Sequence, residues 1–124
     1  MFFKKKKKTA EQIENEKRLM WIHEHASYMT YVDDVVIEDD RIRIEGPHSA
    51  GRIERGQKVL ALDCNGRALC SMMIEESDVK RQGNLQGSLY TGEYACLFVK
   101  CMDEAPEELQ RCSMLVDGDM QIPF

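Results

Sequence analysis

Cysteine, histidine, paired carboxylates and a lysine run are the features of this chain whose types and spacing could do chemistry. The five cysteines are Cys64, Cys70, Cys96, Cys101 and Cys112. A nucleophilic thiol needs a histidine base beside it in an electropositive setting. All five thiols fall in or beside predicted strands, whereas His23 and His25 fall on a predicted helix and His48 in a predicted loop. Buried cysteine behaves as a small hydrophobe, so core packing is the reading taken. An odd count with no Cys-x-x-Cys pair is also the wrong arithmetic for a disulfide scaffold or a common zinc site.

Strand geometry argues against a shared ion. In a two-residue hairpin at Asn65-Gly66, Cys64 would face Arg67 and Cys70 would face Ala61, which puts the two sulfurs on opposite sides of the sheet. Cys96 and Cys101, five apart, also alternate away from each other. His23-Glu24-His25 resembles a ligand set on paper, but residues two apart on a helix point about 200° apart. The adjacent acids Asp33-Asp34, Asp39-Asp40 and Glu75-Glu76 point to opposite faces of a strand, so they read as solvated turns and edges and not as general acid/base pairs. No catalytic residue, metal ligand or cofactor is expected.

The segment that asks for a partner is Met1-Phe2-Phe3 followed by Lys4, Lys5, Lys6, Lys7 and Lys8. Lysines beside an anionic bilayer contribute about 1 kcal/mol each, and the two phenylalanines add apolar insertion, so this arm fits a membrane surface or an RNA. A solvated tail is the competing reading. The chain as a whole carries 17 Lys and Arg against 22 Asp and Glu, a net of -5. Without the five lysines, 12 basic residues stand against the same 22 acids, a net of -10. The body should therefore repel phosphates, and polyanion affinity should reside in the arm.

These residues must be positioned by a small number of elements. A chain of 124 residues with 43% hydrophobic and 31% charged residues is that of one globular domain. The polar sequence after Lys8 lacks the apolar stretch of a secretory signal, no run is long enough to span a bilayer as a helix, and the thiols fit a reducing compartment, so a cytoplasmic location is expected. Thr9 and Gln12 form a capping-box pattern that opens a helix over 9–28. Ala10, Ile13, Met20, Trp21 and Tyr28 mark its expected apolar face, with Glu11, Glu14, Arg18 and His25 on the solvent side. Strand periodicity then takes over at 31–37, with an acidic turn at 38–40 and alternation at 41–45. Gly46 to Gly51 reads as a loop through Pro47, followed by a short extended piece at 52–54. Further strands are expected over 58–64, 67–75, 94–102 and 112–116, with a loop over 83–92 and a helical turn at Pro106-Glu107-Glu108-Leu109. The layout is a basic disordered arm over 1–8, the helix over 9–28 and a β domain over 29–124. One helix and about six strands point to a barrel or a sandwich.

Three stretches carry a resemblance. Gly51-Arg52-Ile53-Glu54-Arg55-Gly56-Gln57-Lys58-Val59, Gly92-Glu93-Tyr94-Ala95-Cys96-Leu97-Phe98-Val99-Lys100 and Leu109-Gln110-Arg111-Cys112-Ser113-Met114-Leu115 occur in the order and spacing of the second domain of translation GTPases, the elongation factor Tu type. The match covers roughly residues 31–116. It implies a mainly β fold: a small six-stranded Greek-key barrel of the translation-factor domain 2 type, preceded by one N-terminal α-helix. Cys96, Cys101 and Cys112 stand where that family usually has glycine, and Tyr94 stands where an asparagine lines its aminoacyl pocket. No Gly-x-x-x-x-Gly-Lys-Ser/Thr loop is present to cradle phosphates, so no GTP is expected. The functional expectation is a non-enzymatic binding module for a protein or RNA. The alternative is a peripheral membrane-associated adaptor held by the Phe/Lys arm.

Overall fold

The computed structural model describes residues 7–38, 41–81 and 93–124. Helix α1 spans Ala10–His25. The expected capping box is formed: Gln12 N donates to Thr9 Oγ1 at 3.1 Å and Thr9 N donates to Gln12 Oε1 at 2.9 Å. The helix stops three residues before the expected end, with Ala26 extended at its C-cap. Tyr28 is instead buried with the barrel residues.

Among the described residues seven strands follow: β1 (Met29–Tyr31), β2 (Asp34–Glu38), β3 (Arg41–Ala50), β4 (Lys58–Leu62), β5 (Ala68–Arg81), β6 (Glu93–Cys101) and β7 (Met114–Asp117), with a 3-10 helix over Glu107–Arg111 between the last two. The sheet order is β1-β7-β4-β5-β6-β3-β2, and β1 also pairs with β3. Every pairing is antiparallel. Six strands thus close a barrel, and β2 adds a seventh along β3. The mainly β barrel with one N-terminal helix stands as expected.

Two local expectations along β1 to β3 are corrected. The predicted strand over 31–37 is two strands, because Val32 and Asp33 break the run between β1 and β2. Gly46 through Ala50 is not a loop but the second half of β3, with Gly46 opposite Ala95, Pro47 opposite Tyr94 and His48 opposite Glu93. On the other flank of β3, β2 pairs only as far as Glu45 and β1 resumes at His48. Pro47 therefore falls at a gap in the ladder, a position proline tolerates. Gly46 is needed there, since a Cβ would collide with the Tyr31 carbonyl. Among the described residues the short extended piece at 52–54 is part of no strand. The loop read over 83–92 and the acidic turn expected at Asp39 and Asp40 lie outside the described residues.

The β4–β5 hairpin forms with a longer turn than the two-residue type expected. Gly66 N donates to the Asp63 carbonyl at 3.0 Å, while Asp63 Oδ1 accepts from Asn65 N and Arg67 N, each at 2.9 Å. The aspartate captures the turn amides, so Cys64 sits in the turn and does not pair with Arg67. A bulge at Leu69 then shifts the register back, and Ala61 faces Cys70 after all.

Alternation sorts the apolar residues into two cores. Val59, Ala61, Met72, Ile74, Leu97, Val99 and Leu115 fill the barrel interior. The other face of β4, β7 and β1 buries Leu62, Met114, Val116 and Met29 against Ile22 of α1. These strands are covered on both faces, which explains their continuous apolar runs. Among the described residues no helix is long and apolar enough to cross a membrane.

Candidate functional site

The helix meets the barrel on a face other than the expected one. Arg18, placed on the solvent side by the sequence pattern, is only 5% exposed, while Met20 is 63% exposed and Ile13 42%. The docking face runs through Arg18, Leu19 and Ile22 at helical spacing. Its seat is the hairpin turn at Gly66, whose φ of 78° needs glycine and whose missing Cβ makes room for Ile22 and Arg18. Arg18 Nη1 donates to the Asn65 carbonyl at 3.2 Å and to Asn15 Oδ1 at 2.7 Å, and Nη2 reaches Glu14 at 3.4 Å. Arg67 Nη2 contacts Glu11 Oε1 at 3.2 Å across the same junction.

A groove of about 340 Å³ opens beside this seam. Leu60, Met120, Ile122 and Phe124 supply its apolar wall, and Arg18 and Arg67 also line it. Arg18 is held by three acceptors and by burial, whereas Arg67 is half exposed and pairs with the exposed Glu11. The arrangement can seat an apolar group next to an anionic one. Sequence reading missed it because the wall and the charges come from α1, β4, the hairpin turn and the C-terminal segment together.

The lysine arm is described only at its end. Lys4, Lys5 and Lys6 lie outside the described residues; Lys8 Nζ pairs with Glu16 Oε1 at 2.6 Å, where both side chains are well exposed. On the helix, His23 and His25 each place Nδ1 on the carbonyl four residues back, Leu19 and Trp21 respectively. His23 Nε2 continues to the Tyr31 hydroxyl at 2.9 Å, while the His25 ring stacks on Trp21. They are directed to different neighbours.

Cys64 is exposed in the β4–β5 turn, while Cys70, Cys101 and Cys112 pack with the barrel interior and Cys96 alternates to the other face. Cys96 Sγ lies 3.5 Å from Glu45 Oε1, and burial, then Glu45, pushes its thiol up. Tyr94, on the same strand, directs its hydroxyl to Asp33 Oδ2 at 3.5 Å; partial burial and then the Asp33 charge raise it. Cys70 and Cys101 come together instead, with their sulfurs 4.0 Å apart. Burial, then the neighbouring Cys101, pushes the Cys70 thiol up to about 12. Cys112 is buried, donates to the Met114 carbonyl at 3.6 Å and is pushed up to about 11 by that burial. The Cys70–Cys101 approach is a pairing that neither sequence spacing considered, since it joins β5 to β6 across 31 residues.

Comparison of the chain with known protein families, with curated proteins and with solved structures finds no significant match.

Proposed function

We propose that this chain is a non-enzymatic binding module built on a barrel of the translation-factor domain 2 type, acting in the cytoplasm. Its partner is a protein segment that presents an apolar side chain beside a carboxylate. The observation that carries the reading is the groove between α1 and the β4–β5 hairpin, where Arg67 stands half exposed over an apolar wall of Leu60, Met120 and Ile122. An apolar concavity with a few convergent polar groups is the usual form of a binding site. The barrel resemblance supports the same class, because that domain type works by surface contact. A thiol nucleophile would need its pKa lowered, and burial moves Cys70 and Cys112 the other way.

The alternative is a peripheral membrane-associated adaptor held by Phe2, Phe3 and Lys4 through Lys8, and an RNA ligand would use the same lysines. The test compares capture from lysate by the intact chain, by a chain lacking residues 1–8, and by Arg67→Glu. A protein that is lost with Arg67→Glu and kept by the shortened chain supports the groove. A ligand lost only with the arm, together with loss of sedimentation on anionic liposomes or of RNA retention, overturns it in favour of the arm.

A further inference from the structure

We infer that Cys70 and Cys101 form a two-thiolate site for a soft, closed-shell cation of the copper(I) type at one end of the barrel. Both side chains are half buried and pack against the interior cluster. Met72, fully buried, lies directly opposite Cys101 and two residues along β5 from Cys70, so its thioether shares their face. Thiolate and thioether sulfurs select copper(I) over harder ions. Among the described residues no three of His, Cys, Asp and Glu are grouped to hold a metal ion, so the four-ligand set of a zinc site is not assembled here.

Register separates this reading from a disulfide. Met72 is the direct partner of Cys101, which makes Cys70 its diagonal neighbour. Diagonal residues in an antiparallel pair stand about 7–8 Å apart, at the upper limit of about 7 Å between Cα atoms beyond which a disulfide needs backbone movement. Closing that bond would move backbone. A bridging cation asks for much less: bonds of about 2.3 Å to each sulfur span the observed 4.0 Å at an angle of about 120°. On entry two S–H bonds break, two S–metal bonds form and two protons pass to water, with no change of oxidation state. Because both thiols lose a proton on binding, uptake weakens as pH falls.

The test uses the full-length reduced chain and silver(I), the redox-inert counterpart of copper(I). Pulse alkylation read by mass spectrometry should show Cys70 and Cys101 protected together by one equivalent of silver, at least tenfold, while exposed Cys64 labels as in the free protein. In a Cys64→Ser/Cys96→Ser background, ultraviolet titration should give one ion per chain and two protons released. Adding Cys70→Ser or Cys101→Ser should weaken uptake at least a hundredfold. Unchanged labelling of Cys70 and Cys101, or uptake that survives both substitutions, overturns the site. The labelling experiment decides by itself if a substituted chain fails to fold.

Discussion

Gly66 joins the hairpin to the helix through what it lacks. A Cβ there would stand 2.7 Å from Ile22 Cδ1 and 3.3 Å from Arg18 Cδ, and its φ is 78°. Gly56 has a similar φ of 86° with open space around it. Substituting alanine at Gly56 should cost the left-handed backbone alone, about 1–2 kcal/mol. Gly66→Ala should cost that and a further overpacking cost of about 1–3 kcal/mol, read as the difference in urea midpoints. Equal losses would show that the helix does not rest on this turn. Buried titrating groups set the alkaline limit. Burial raises Tyr28 from 10.0 to about 12, against the lowering effect of the Thr30 hydrogen bond, and raises Cys112 from 9.0 to about 11. In the window between each pair of values the folded chain holds a proton that the unfolded chain has released. These groups therefore contribute stability that is fully present below pH 9 and is lost as pH rises through about 12. Urea unfolding of the reduced protein from pH 8 to 12 should show that fall, and a flat profile would contradict the burial.

At the scale of the element, α1 is held from two ends by different forces. Its N-terminus depends on the Thr9–Gln12 box, so Thr9→Ala should cost about 1 kcal/mol through the unpaired amide. Its contact with the barrel depends on Ile22, fully buried beside Leu62, Met114 and Val116, so Ile22→Ala should cost about 2–5 kcal/mol. Circular dichroism with urea unfolding measures both, and Ile22→Ala should be the larger loss. The capping box and the strand alternation were legible in the sequence because each is decided within a few residues. The burial of Arg18 was not. A helical wheel ranks side chains by polarity, but the hairpin turn offers Arg18 the Asn65 carbonyl and a niche at Gly66, and no wheel contains either. The same holds for Gly46 to Ala50, where glycine and proline read as loop formers and are instead the residues that fit the crowded, interrupted flank of β3.

For the whole molecule, the helix is part of the barrel's outer core. Leu62, Met114, Val116 and Met29 are buried by α1 and its flanking residues. A chain lacking residues 1–26 should expose that face, bind a hydrophobic dye and elute from size exclusion as oligomers or aggregate. A monomeric, dye-free product would show that the barrel closes its outer face without the helix. What the sequence determined by itself was local or summed: the capped helix, the period-two runs, a hairpin about Asn65-Gly66, and an acidic body of net -10 beyond its basic arm. Each follows from neighbouring residues or from simple addition of charge. Only the tertiary structure decided which strands close the ring, which helix face docks, and that Cys70 meets Cys101. Those outcomes depend on register, where a bulge at Leu69 offsets a longer turn, and on cross-strand neighbours far apart in the chain. A side chain's face is set by counting along its own strand, but its company is set by the strand beside it.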